Sequence, residues 1–167
     1  VQVIPIGYLQ DVEARQLVER PVRGFSLRYE PEASQRILDI TRCHPFLVQL
    51  LCAEVVALKN QQQASRRSQA GLADIASAVP EALKRGCLFF ADIERNQVDA
   101  HGLEILRFLA AQGERAAVPR QELETHSPHD LDRALRLLQR RALVERTDEG
   151  YRFQVELIRH WFAQDVQ

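Results

Sequence analysis

The side chains able to do chemistry in this chain are few and poorly grouped. Three cysteines (Cys43, Cys52 and Cys87) and five histidines are the candidate metal ligands and nucleophiles. A structural zinc site needs ligands at short, fixed spacing, most often a Cys-x-x-Cys pair. Here Cys43 and His44 are adjacent, Cys52 falls in an apolar stretch, and no Cys-x-x-Cys occurs. No metal site is expected, and the thiols read as small apolar side chains of a core. His101, His126, His129 and His160 stand in no recognisable nucleophile motif. A phosphate-gripping turn requires G-x-x-x-x-G-K-[ST], and the seven glycines are scattered with no such run. These residues predict no turnover by this chain alone.

One further grouping bears on binding. Arg133, Arg136 and Arg140 recur at spacings of three and four, so a helix places them on one face, and Arg141 follows. Such a row is suited to a DNA groove. The charge around it is not: residues 98–167 hold ten Lys or Arg against twelve Asp or Glu. Phosphate neutralisation supplies most non-specific DNA affinity, and an acidic module is poorly suited to it. Asp130, Asp132 and Glu145 lie near the same arginines, and Asp148 and Glu149 sit at the tip of an expected hairpin. The row reads first as a solvated face paired with carboxylates, with a protein-contact face and DNA recognition as alternatives.

The elements that position these residues are mostly helices. An apolar fraction of 46%, a charged fraction of 27% and a net charge of -1 are those of a globular chain without overall attraction to nucleic acid or anionic membrane. The longest apolar stretch, Phe46 to Leu58, is interrupted by Gln49 and Glu54 and is too short to span a bilayer. It reads as a helix buried on nearly every side. The chain has no methionine, so Val1 is expected to be a processed or excised end. Unpaired cysteines favour a reduced, cytoplasmic setting.

"VQVIPIG" is read as a short strand. The next segment places Leu9, Val12, Leu17 and Val18 near helical spacing, with Gln10 and Glu13 as a capping pair and Pro21 as its stop. "VRGFSLRYE" reads as a loop. Pro31 opens a helix that runs to about Thr41, and His44-Pro45 opens another that runs to about Asn60. "NQQQASRRSQAG" reads as a mobile connection. "LADIASAV" is a short helix, and Pro80 is expected to open a further one with Leu83, Cys87 and Phe90 on one face. A domain boundary is expected near Gln97. Beyond it come "GLEILRFLAAQG" ending at Gly113, "PRQELETH", and a longer helix "HDLDRALRLLQRRA" capped by Ser127-Pro128 with Asp130. "LVERT", a turn at "DEG" and "YRFQV" form a hairpin, and "ELIRHWFAQ" a last helix. Helix, helix, helix, hairpin is the element order of a winged helix.

The run "YLQDVEARQLVERPVRGF" followed by "YEPEASQRILDITRCHPFLVQLLCAEVV" resembles the segment after the nucleotide-binding core in bacterial STAND-type P-loop ATPases, relatives of the AAA+ group. Proteins of that kind place a helical lid and then a winged helix behind a P-loop core. The most specific element is Thr41 to Gln49, where the family pattern is a threonine, small residues, His-Pro, an apolar pair and a glutamine. The resemblance implies that Pro45 offers a rigid apolar surface to the adenine or ribose of bound nucleotide, with His44 as a polar tip and Thr41 and Arg42 behind them. It also implies glycines before His-Pro, where this chain has Arg42 and Cys43. Gln49, one turn along, reads as a buried hydrogen-bonding residue.

The expectation is a mainly α chain: a core tail at 1–7, a helical lid at 8–96, and a winged helix at 98–167. Its expected role is nucleotide-responsive regulation within a larger ATPase. The isolated chain is expected to carry no cofactor, and the parent protein ATP or ADP with Mg. The upstream P-loop core and an effector domain or protein are the expected partners; no membrane is. The alternatives are a free-standing winged-helix transcription regulator, for which DNA is the partner, and a scaffold that self-associates through Val1, Val3, Ile4 and Ile6.

Overall fold

A computed structural model of the chain describes residues 7–164. The expected core-tail strand and its apolar residues lie almost wholly outside them; Gly7 is in no regular element. The chain is mainly α and divides into two compact units, Val1–Gly86 and Cys87–Gln167. The division falls at Gly86, not near Gln97. The change of helical pattern at Asp99 marks a helix cap inside the second unit, where the Asp99 carboxylate accepts the Gly102 N–H at 2.9 Å. Residues before it already belong to that unit. Phe90 stacks on Trp161 with ring centroids 5.4 Å apart, and Glu94 accepts from Arg107 at 3.2 Å and from the Trp161 indole at 3.4 Å.

In the first unit, α1 (Asp11–Glu19), α2 (Pro31–Thr41), α3 (Pro45–Gln61) and α4 (Leu72–Arg85) pack around one core. The Gln10 N–H donates to Glu13 Oε2 at 2.9 Å, which caps α1 as the spacing predicts. Ala14 and Val18 face inward, while Val12 turns out to be 79% exposed. Ile37, Ile40, Leu47, Leu51 and Ile75 are fully buried, each contributing about 1.5–3 kcal/mol.

Three expectations fail here. The helix of "LADIASAV" does not stop before Pro80; α4 runs through it. A proline inside a helix removes one backbone bond, but the stripe Ile75, Ala78, Val79, Ala82 and Leu83 is buried on both sides of it and holds the helix together. Cys87 therefore lies beyond Gly86 and is exposed, whereas Leu83 and Phe90 are buried on separate helices, each in its own unit. Lastly, the loop and the mobile connection are joined. β1 (Arg28–Tyr29) pairs in parallel with β2 (Gln69–Ala70), and Arg28 N–H donates to Ser68 O at 2.9 Å.

Polar contacts lock α3 to α4. Asp74 accepts from Gly71 N–H at 2.9 Å, from the buried Lys59 ammonium at 3.1 Å and from Gln62 at 3.2 Å. Burial pushes its carboxyl up, but these hydrogen bonds and the Lys59 charge together hold it below the usual carboxylate range. Glu54, buried on α3, pairs with Arg85 at the end of α4.

In the second unit, α5 (Cys87–Asp92) runs into a π-helical turn at Ile93–Gln97. Then come α6 (Ala100–Ala111), α7 (Arg120–His126), α8 (Leu131–Arg140), β3 (Val144–Thr147), β4 (Gly150–Phe153) and α9 (Glu156–Ala163). β3 and β4 form an antiparallel hairpin with Thr147 opposite Gly150. A bridge between Val118 and Tyr151, with backbone bonds of 2.8 and 2.9 Å, ties the α6–α7 link to the hairpin. Gly150 makes this possible: a Cβ there would stand 2.1 Å from Val118 O. A buried ion pair fastens α9: Arg159 donates to Glu156 and, at 3.1 Å, to Ala110 O at the end of α6. Ser127 does not cap α8. It ends α7 and donates to Glu104 at 3.3 Å, and α8 starts from Asp130 in the left-handed region.

Candidate functional site

The junction of α2 and α3 is a tight turn with an unusual backbone. Arg42 and Cys43 are both left-handed, at φ 52° and 56°, which disfavours L residues by about 1–2 kcal/mol each. The turn persists because it is tied from both sides. Cys43 N–H donates to Leu38 O at 3.2 Å and His44 N–H to Thr41 O at 3.0 Å. The Leu9 N–H donates to Cys43 O at 3.0 Å, and the Cys43 thiol points at Asp11 Oδ1, 3.7 Å away. Positions where the resemblance implies glycine are thus positions whose conformation glycine prefers. His44 then takes the N-cap position of α3 and Pro45 its first turn, where the missing N–H leaves no bond unmade.

The turn is open on one side. Arg42 is exposed, His44 and Pro45 are half-buried, and Phe46 is 43% exposed. Tyr8, from the segment that leads into α1, sets its ring edge-on to His44 with centroids 5.8 Å apart. Burial lowers the His44 pKa below the usual imidazole value, partly offset by a backbone hydrogen bond, so the ring is neutral at pH 7. The four residues expected at a ligand are adjacent in the turn but not equivalent. Thr41 is fully buried and its hydroxyl donates to Ile37 O at 2.6 Å, so a ligand contact would have to displace that bond. Gln49 corrects an expectation: it is exposed, not buried. The buried side of α3 is Leu47, Val48, Leu50, Leu51, Glu54 and Val55, which turns Gln49 outward on the same side as Phe46 and Ala53. The helix is apolar all round without being buried all round.

The thiols of this unit are unreactive in this setting. Burial pushes the Cys52 thiol up to about 11, and the buried Tyr29 hydroxyl, also raised by burial, lies beside it. Burial, then Asp11, raises the Cys43 thiol. Thiols so raised are not nucleophiles at neutral pH. Among the described residues no three His, Cys, Asp or Glu side chains come together as a metal site, and no helix is long and apolar enough to cross a membrane.

In the second unit, Arg133, Arg136, Arg140 and Arg141 are all exposed on the outer side of α8. The expected pairing with nearby carboxylates forms only in part: Asp132 interacts with Arg136, but its hydrogen bond goes elsewhere. Arg120 of α7 takes Asp132 and Glu124 instead, and Arg152 takes Glu145 at 2.8 Å. Hydrogen bonding from Arg120, and its charge, lower the Asp132 carboxyl.

No protein-family model matches the chain, and no curated protein matches it. Sequence reasoning passed over Tyr8 and Phe46 as parts of the turn. Phe46 was legible as the apolar residue after His-Pro; Tyr8 carries no local signal, because its place at the turn follows from a long-range contact, the Leu9–Cys43 bond next to it.

Proposed function

We propose that the chain is a nucleotide-responsive regulatory module, a helical lid followed by a winged helix, within a larger P-loop ATPase, and that it performs no turnover of its own. The observation that carries this reading is the open turn at Arg42–Phe46. It exposes one side of a proline next to a neutral imidazole and an aromatic ring. Such a surface suits a purine from one side only, so the phosphates of ATP or ADP, with Mg, would be held by a P-loop core elsewhere in the polypeptide. Pro45 and Phe46 would meet the base, His44 would offer a polar tip, and Arg42 would reach toward the ribose or phosphates. In the second unit the order α6, Val118 bridge, α7, α8, hairpin supports the winged-helix assignment, with Val118 in place of a short first strand.

The physical logic is a switch. If ATP and ADP meet the turn differently, their binding energies bias the lid between arrangements, and the winged helix carries that bias to an effector. The arrangement of Leu9, Asp11 and Cys43 adds a route, since the chain that leads into the lid is bonded to the turn itself. A DNA-reading regulator is the weaker reading, because the hairpin tip presents the exposed carboxylates Asp148 and Glu149. Calorimetry with ATP and with ADP tests the allocation. This chain should bind either nucleotide at most weakly, and tight binding would show that it is not the lid half of a divided site.

A further inference from the structure

α8 has a buried side of Leu131, Ala134, Leu135 and Leu138 and an outer side of Arg133, Arg136, Arg140 and Arg141. Like charges three and four residues apart destabilise a helix, and cations near its first turn oppose the helix dipole. Within the unit the row is relieved only in part: the Asp132 carboxylate, hydrogen-bonded to Arg120, also feels the Arg136 charge. Glu124, Asp132 and Glu145 are hydrogen-bonded to Arg120 and Arg152, and the Arg133, Arg140 and Arg141 side chains make no ion pair or hydrogen bond among the described residues. An arginine row so sparsely paired on a net acidic unit is a charge that an outside group would complete.

We propose that this row is a docking surface for a short acidic segment of a protein partner. Arg133, Arg136 and Arg140 span about 10 Å along the helix, one guanidinium per turn. Carboxylates repeating every third or fourth residue of an acidic helix match that pitch, and each guanidinium can take a carboxylate in bidentate fashion. A nucleic acid fits less well. Its line of phosphates would continue past the arginines onto Asp130 and Asp132 at the start of α8 and toward Asp148 and Glu149 at the hairpin tip, all exposed. A short acidic segment can cover the arginines without running on to the hairpin tip. The inference takes from the proposed function only that the second unit docks a partner, and no nucleotide enters its test.

The probe is a fluorescein-labelled helical peptide with glutamates at every third and fourth position, followed by anisotropy at low salt against this chain. Mixed-sequence duplex DNA is run in parallel. The variant Arg133→Glu, Arg136→Glu, Arg140→Glu should weaken peptide binding roughly tenfold or more. A charge-matched variant, Arg23→Glu, Arg66→Glu, Arg95→Glu, should weaken it less than about threefold. Fluorescence of Trp161 checks that the second unit stays folded, and the Arg133→Gln, Arg136→Gln, Arg140→Gln variant replaces the first if it does not. Equal losses in the two variants, no peptide binding by the parent chain, or tighter binding of DNA than of peptide would each overturn the proposal.

Discussion

Gly150 should be the least replaceable glycine of the second unit. Its φ is 142°, and an added Cβ would stand 2.1 Å from Val118 O, 2.4 Å from Val118 C and 2.8 Å from Pro119 N, all backbone atoms. Gly150→Ala must therefore push the α6–α7 link away and break the two bonds between Val118 and Tyr151. Each such bond contributes about 1 kcal/mol, and the backbone conformation disfavours a side chain by about 1–2 kcal/mol more. The sum is about 3–4 kcal/mol, which in a unit of this size lowers Tm by roughly 15–25 °C. Gly113 is the control. It too has a positive φ, 103°, but an added Cβ would meet nothing within 4 Å, so Gly113→Ala should lose only the conformational part, roughly 5–10 °C. The chain's one tryptophan, Trp161, lies in this unit, so its fluorescence follows the relevant transition. The reasoning is refuted if Gly150→Ala melts no lower than Gly113→Ala.

The left-handed pair at the α2–α3 turn yields opposite outcomes from one substitution type. Arg42→Gly relieves an exposed residue at φ 52° and should stabilise the first unit by about 0.5–1 kcal/mol in urea, whereas Cys43→Gly gives up a buried thiol and should destabilise it by about 1 kcal/mol. If both shift the circular-dichroism midpoint in the same direction, the strain argument is wrong. Asp74 governs acid sensitivity. Its folded pKa lies below its unfolded one, so its stabilisation is present above about pH 4 and is lost as pH falls through the lower folded value. Asp74→Asn should lower stability at pH 7 and flatten the acid limb of the first unit's stability curve; an unchanged limb would contradict the Lys59–Asp74–Gly71 account.

Where local chemistry decides, the chain was readable. Pro31 and Pro45 mark the first residues of α2 and α3, Gln10 and Glu13 mark the start of α1, and the hairpin follows from "LVERTDEGYRF". Where long-range packing decides, it was not. Pro80 resembles a helix start, but the buried stripe on both sides outweighs one lost backbone bond. The β1–β2 pairing joins segments far apart in sequence and leaves no mark in either. Helix α3 is apolar on so many sides that its sequence carries no phase, so the outward turn of Gln49 was illegible. At the candidate site, His44 and Pro45 were visible as a turn. The left-handed backbone of Arg42 and Cys43 was not, because no glycine stands there to announce it. The arginine row was visible on one face, but the capture of its carboxylates by Arg120 and Arg152 depends on tertiary placement.

The central claim is that the turn at residues 41–46 rests on nucleotide held by another part of the same polypeptide. Photolabelling the complete polypeptide with an azido-adenine ATP analogue, then mapping the adduct by mass spectrometry, tests it most directly. The account predicts label on His44, Pro45 or Phe46 that is lost with excess ATP. Label confined to other segments, or a polypeptide that retains no nucleotide at all, would contradict it.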